Sequence, residues 1–449
     1  MHNSAHIIHS SMPFGLDATW VAVSILLIIY AVIMVEKFNR AVLSLLGAGL
    51  MILCGVLNQQ QAVAGIDFNT IGLLTGMMVI VAISQKTGMF QYVAIKAAKV
   101  VKGEPWGILV MLSLVTAVFS ALLDNVTTVL LIAPVTLLIT DALAVRPYPY
   151  LFALILASNI GGTSTLIGDP PNIMIGSAAH LSFYDFLTNL MPIIPVIFIV
   201  VITVIWLMFG SDLKTTDEKK ELIMQFDEGA AIKDVPLLRK SLFVLFAVIS
   251  GFTAAHALHL EPATIAMFGA ALLLLLQTWG EPLHDKDHAY EAIMAEVEWT
   301  TIFFFVGLFI IVTGVEHTGV IGMLAEKTLT LTGGNFAATT AAILWVSAIA
   351  SALIDNIPFV ATMIPLIQSM APTFGGQEAL IPLWWALALG ACLGGNGSLI
   401  GASANLIVAG FAQRAGHPIA FLSFMKHAFA LMILTILISH AYLYLRYLS

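Results

Sequence analysis

ASNIGGTSTLIGDPPNIMIG, Ala157 to Gly176, is polar and glycine-rich in a chain that is apolar on both sides of it. Gly161, Gly162 and Gly168 weaken a helix, Pro170 and Pro171 have no backbone N–H to donate, and Asn159, Thr163, Ser164, Thr165, Asp169 and Asn172 offer side-chain ligands. Irregular backbone survives at membrane depth only where it is buried in protein or lines a wet cavity. The stretch therefore reads as a broken helix facing a site, with a partner near Gly394, both at the bilayer midplane.

The surrounding chain supports a membrane setting. Of 449 residues, 59% are hydrophobic and 10% charged, against about 25% charged in a soluble domain. Apolar segments of near-spanning length recur at Ala18 to Val35, Val42 to Leu57, Ile71 to Ser84, Leu187 to Phe209, Ser241 to Leu258, Ala263 to Thr278, Ile302 to Val315 and Ala428 to Leu445. The polar/apolar alternation of a membrane barrel is missing, so the expectation is an all-α polytopic membrane protein. Residues 1–17 contain no Lys or Arg, and the first segment ends in Glu36 and Lys37 without a small-residue cleavage site, so no removable signal peptide is expected. No Lys/Arg cluster lies beside stacking aromatics, which argues against nucleic acid. Cys54 and Cys392 lack metal-binding spacing and read as small packed side chains.

The first half continues with Met89 to Lys102, whose Lys96, Lys99 and Lys102 recur at helical spacing as in an interfacial helix. Two short apolar arms, Trp106 to Leu123 and Val126 to Thr140, flank Asp124-Asn125 and read as a re-entrant hairpin with an ionisable tip. After the break, His180 to Asn189 reads as an outer loop. Residues 211–240 hold six Lys/Arg and seven Asp/Glu and form a linker. Beyond it the parts return in order. SALLDNVTTVLLIAP, Ser120 to Pro134, becomes SALIDNIPFVATMIP, Ser351 to Pro365. Gly161-Gly162, Gly168 and Asn172 become Gly394-Gly395, Gly401 and Asn405, at offsets of 231 to 233.

Five crossings and one hairpin per half would invert the second half. With the N-terminus outside, that arrangement puts sixteen of the eighteen Lys/Arg on the cytoplasmic side, leaving only Lys327 and Arg446 outside. The expected architecture is two inverted repeats with ten transmembrane helices, two re-entrant hairpins and two broken helices. It divides into an extracytoplasmic tail (1–17), a first repeat (18–210), a cytoplasmic linker (211–240) and a second repeat (241–449), in the plasma (inner) membrane.

Inverted repeats whose discontinuous helices meet at midplane are transporter architecture, because helix ends present partial charge and unwound backbone offers ligands. The tips (Asp124, Asn125; Asp355, Asn356) and the breaks (Asn159 to Asn172; Gly394 to Asn405) are expected to converge on one cavity. An aspartate inside the bilayer costs roughly 2.5–3.5 kcal/mol, and the repeat carries one at each tip. The bland alternative makes Asp124 a helix N-cap accepting from the Thr127 and Thr128 amides. Asp169 has no acid at its matching position, Ala402, an asymmetry that would let one half handle a coupling ion. His256 and His259 near Glu261, and His2, His6 and His9, read as surface or tail residues rather than a metal site. Phosphate-loop, triad, heme and flavin motifs are absent, which argues against an enzyme and for transport without a resident cofactor.

DNVTTVLLIAPVT with SNIGGTSTLIGDPPNIMIG, and DNIPFVATMIPLI with GACLGGNGSLIGASANLIVAG, resemble the ArsB and P-protein branch of the ion transporter superfamily over roughly residues 20–447. That grouping also holds NhaD-type sodium/proton antiporters and divalent-anion symporters. The resemblance implies a site at the tips and breaks, here Asp124, Asn125, Thr127, Asn159, Gly162, Thr163, Ser164, Asp169, Asn172, Asp355, Asn356, Gly395, Asn396, Ser398 and Asn405. Asp-Asn pairs replace the Ser-Asn-Thr signatures of carboxylate symporters. No Arg or Lys falls near either motif to pair with a dicarboxylate, so a citrate or succinate carrier is not expected. The resemblance implies proton-coupled efflux of arsenite and antimonite. Its alternatives are sodium/proton antiport, with Na⁺ as coupling ion, and a P-protein-like anion channel or transporter. Expected partners are a small inorganic solute or ion and membrane lipid; an ATPase subunit and a homodimer are further assemblies open to such a permease.

Overall fold

Apolar runs become helices throughout the computed structural model, which describes residues 17–35, 37–279 and 283–449, apart from the side chains of His256 and residues 283–286. His2, His6 and His9, the tail 1–16 and Glu36 lie outside the described residues. Among the described residues every regular element is helical. Nine helices there are long and apolar enough to cross a membrane, and Ala18–Met34, Arg40–Leu53, Pro262–Gln277 and Asn356–Gln368 are shorter apolar ones.

Matching sequence becomes matching elements. Phe68–Lys86 corresponds to Trp299–His317, Met89–Val100 to Val320–Leu331, Pro105–Leu122 to Phe336–Leu353, Asn125–Leu143 to Asn356–Gln368, Tyr148–Gly162 to Ile381–Gly394, and Pro170–Ala179 to Ser403–Arg414. The halves interlock. Helix Arg40–Leu53 packs on Trp299–His317, and Pro262–Gln277 packs on Phe68–Lys86. Each first hairpin arm packs on the first stub of its own half's break, Pro105–Leu122 on Tyr148–Gly162 and Phe336–Leu353 on Ile381–Gly394. Only glycine permits that approach: a Cβ on Gly161 would stand 2.1 Å from the Ala117 carbonyl oxygen, and one on Gly394 2.6 Å from that of Ala348. The second stubs cross over, Pro170–Ala179 meeting Asn356–Gln368 and Ser403–Arg414 meeting Asn125–Leu143.

Two expectations need correction. The arms of the first hairpin are not short: Pro105–Leu122 and Asn125–Leu143 have 18 and 19 residues, or roughly 27 Å at 1.5 Å per residue. Pro134 sits inside the second of these arms, whose inner face is well buried. The segment after His180 is not a plain loop but holds helix Phe183–Asn189, started by a Ser182/Asp185 capping box. The linker is docked. Glu228 pairs with Lys99, Lys220 with Glu104 at 2.6 Å, the Lys233 amide donates to the Thr87 carbonyl at 3.0 Å, and Ile223 is fully buried. Amphipathic helix Met89–Val100 thus has a protein partner on its basic face, which charge periodicity alone did not disclose.

Candidate functional site

The breaks form where helix geometry runs out of donors. Tyr148–Gly162 ends at its glycine pair, and the chain resumes at Asp169 with Pro170 and Pro171 in the first turn, where a missing N–H costs nothing. In the gap, Asn172 Nδ2 points at the Gly162, Thr163 and Thr165 carbonyls at 3.3, 3.2 and 2.9 Å. Asn405 Nδ2 likewise reaches the Gly395 and Ser398 carbonyls, both at 2.8 Å. These two asparagines staple the breaks, and only their oxygens face the centre.

Those oxygens are answered from the opposite half. Asn405 Oδ1 accepts from Asn159 Nδ2 at 2.9 Å, and Asn172 Oδ1 accepts from Cys392 Sγ at 3.5 Å. Asn159 and Cys392 occupy matching repeat positions, so the exchange is reciprocal. Asn159 is the hub. Its Nδ2 also donates to Asn396 Oδ1 at 3.0 Å, and its Oδ1 accepts from Asn125 Nδ2 at 3.1 Å. The amide orientations follow in sequence from the backbone carbonyls that fix Asn405. Asn125 Oδ1 and Asn396 Nδ2 then remain buried and without a hydrogen-bond partner. One acceptor and one donor thus flank the hub, where an unpaired buried polar group costs about 1–3 kcal/mol.

The tips differ. Asp124 caps its own helix, Oδ1 accepting from the Thr127 amide at 2.7 Å, so the capping reading holds there; the Thr128 amide instead donates to the Asp124 carbonyl at 3.1 Å. Asn125 also docks its amide on the Gly168 carbonyl at 3.1 Å. At the second tip Asp355 caps Ile357 at 3.0 Å and accepts from Ser403 Oγ at 3.0 Å, while Asn356 Nδ2 crosses to Asp169 at 3.3 and 3.4 Å. Asp169 is almost wholly buried, starts its helix without a side-chain cap, and has the Cys392 thiol against it.

Most candidate residues therefore meet, but not around one cavity. The Asn125, Asn159, Asn396, Asn405, Asp169, Asn172 and Asn356 network is packed shut. A 640 Å³ cleft lies beside it, reaching Arg40, Val126, Glu298, Thr301, Asp355 and Ser403. Thr163, Ser164 and Ser398 spend their hydroxyls on the Asn159, Gly161 and Ala352 carbonyls. Gly162 and Gly395 serve as carbonyl partners of the staples, and Thr127 turns its amide and its side chain to Asp124.

Sequence reasoning missed two residues. Cys392, read as packing, donates within the network; its position opposite Asn159 in the repeat was the available signal. Arg40, 315 residues from Asp355, stands 3.6 Å from that carboxylate. The expectation that no basic residue lies near either motif is thus overturned, and with it that argument against a carboxylate carrier. Among the described residues no His/Cys/Asp/Glu group could hold a metal ion.

Comparison with known proteins bears on the family. The citrate transporter (CitMHS) family model matches residues 30–390. An uncharacterized transporter of Mycobacterium tuberculosis is 43% identical over 431 residues, covering 95% of this chain and 98% of that one. The P protein of Homo sapiens is 33% identical over 506 residues, covering 94% of this chain and 59% of that one. Among solved structures, the Alcanivorax borkumensis YdaH transporter aligns over 95% of this chain and 97% of that one, at 15% identity and a TM-score of 0.49. With its multi-pass helical fold and the motifs shared with the P-protein branch, the chain belongs to the CitMHS family of membrane transporters, within the ion transporter superfamily.

Proposed function

We propose that this transporter, rather than acting as an enzyme, exports a small neutral hydroxylated solute in exchange for protons, with arsenite and antimonite as its substrates. The observation that supports this is the unpaired acceptor and donor beside Asn159, Asn125 Oδ1 and Asn396 Nδ2. A hydroxyl group answers both, since it donates and accepts at once. Arsenous acid is uncharged near neutral pH and carries three hydroxyls, so an amide cage without a facing cation suits it. Asp124 and Asp169 are the acids available to carry the coupling proton. The site is the fifteen-residue set at the tips and breaks, with the staples Asn172 and Asn405 holding its shape.

Everted vesicles test this directly. Arsenite uptake should rise with an acidic lumen and collapse with a proton ionophore, and Asp124→Asn should abolish the dependence on the gradient because an amide keeps the shape but exchanges no proton. Equal uptake with and without the gradient would remove proton coupling; no uptake above empty vesicles would remove the metalloid.

A second reading is carboxylate transport. It is favoured by the description of the family model and by Arg40 in the open cleft, where a bidentate guanidinium suits a carboxylate. Citrate uptake into the same vesicles distinguishes it.

A further inference from the structure

Arg40 opens helix Arg40–Leu53, where a cation faces the positive end of the helix dipole, an arrangement that costs rather than gains. Its surroundings explain the position. Nη1 donates to Ser403 Oγ at 2.6 Å and lies 3.6 Å from Asp355 Oδ2, while Nη2 donates to Thr301 Oγ1 at 3.0 Å. The guanidinium lies 5.2 Å from the Phe304 ring centroid, over its face. Thr301 in turn donates to Glu298 at 3.1 Å. Ser403 opens helix Ser403–Arg414, Asp355 caps Asn356–Gln368, and Glu298 precedes Trp299–His317. One side chain from the first half therefore ties together the starts of three helices of the second half.

The first half has the matching acids without the cation. Asp67 and Thr70 stand where Glu298 and Thr301 stand, with Thr70 Oγ1 on Asp67 at 2.6 Å. The helix matching Arg40–Leu53, Pro262–Gln277, contains no Lys or Arg. Among the described residues Asp124 has no ion-pair partner. We propose that Arg40 is the positioning residue of the second hairpin tip: it holds Asp355 as a fixed counter-charge, clamps the tip to the second break through Ser403, and thereby presents Asn356 to Asp169. Asp355, Asp169, Asp124 and Glu298 are the carboxylates around this point and Arg40 the one basic side chain facing them among the described residues. The two tip aspartates, alike in sequence, then have different work: Asp355 stays paired while Asp124 stays available.

The chain's own cysteines allow a test that needs no substrate. Cys54 and Cys392 are its two thiols, so in a Cys54→Ala background N-ethylmaleimide reports on Cys392 alone, which is buried against Asp169, the carboxylate that Asn356 reaches. Arg40→Gln should label about tenfold faster than its parent, because the unpaired Asp355 draws water and the tip loosens. Arg40→Lys, which keeps the charge, should label within about threefold of the parent. Arg40→Gln/Asp355→Asn, which removes the clamp and leaves no uncompensated charge, should still label several-fold faster than the parent. Parent-like labelling of Arg40→Gln overturns the proposal, as does a double variant that labels like the parent. If Arg40→Gln does not fold, the other two decide: slow labelling of Arg40→Lys with fast labelling of the double variant supports the clamp, and any other pattern overturns it.

Discussion

Asn159 carries more of the site than any other side chain, because it uses both amide hydrogens and its oxygen on three asparagines from three other elements. Asn159→Ala strands Asn405 Oδ1 and releases Asn125 and Asn396, at a cost of about 1–3 kcal/mol, or roughly five- to hundredfold in affinity. Arsenite efflux should fall accordingly in vesicles, and unchanged efflux would leave the hub merely structural. Cys392→Ser is expected to keep efflux within about twofold, since a hydroxyl donates to Asn172 Oδ1 at least as well as a thiol does. A lone thiol cannot supply the three sulfurs trivalent arsenic prefers, so collapse of efflux in the serine variant would point to thiol coordination instead.

At the level of elements, the hairpin and break of each half meet at close backbone approaches that glycine permits, joined by hydroxyl-to-carbonyl bonds such as Ser120 to Ser158 and Ser351 to Ala391. Gly161→Ala would drive a methyl group to 2.1 Å from the Ala117 oxygen, and overpacking of this kind costs about 1–3 kcal/mol. A lowered melting temperature in detergent micelles checks it, and an unchanged one would mean the arm shifts freely. The linker gives a second prediction. Lys99 beside Glu228 holds its carboxyl below the ordinary 4.5. A depressed acid stabilises the docked state above its unfolded pKa, and that contribution is lost as pH falls through the lower folded value. Glu228→Gln should reproduce the loss at neutral pH and raise trypsin nicking at Lys219–Lys220 by about two- to fivefold, a small effect because the pair is only partly buried. Equal nicking rates would mean that Ile223 and the backbone contacts hold the linker unaided. Gly88 belongs to the same seam: its φ of +80° and the Ala231 carbonyl 1.8 Å from a hypothetical Cβ admit no other residue without a shift.

Across the whole molecule, the matching order of helices and the charge distribution favour two repeats of opposite orientation. A tag after Ser449 should then be reached by antibody on intact cells, and one inserted at Thr216 only after permeabilisation; the reverse pattern would sink that arrangement. Helix class, the position of both breaks, the hairpin tips and the duplication were all legible in the sequence, because each rests on local chemistry. Proline and glycine interrupt a helix wherever they lie, apolar runs of 18 residues select the bilayer, and an Asp-Asn pair between apolar arms caps a helix in any tertiary setting. What local chemistry does not contain is which side chain meets which. Asn159 and Cys392 answer staples in the opposite half only because the second stubs cross over. Likewise Arg40 reaches Asp355 only because an early helix packs against the second half, a contact that spans 315 residues and leaves no periodic trace. Local chemistry thus specifies a twice-used, broken-helix membrane transporter; that its two aspartate tips are unequal follows from packing, because charge pairing depends on distance in space and not along the chain.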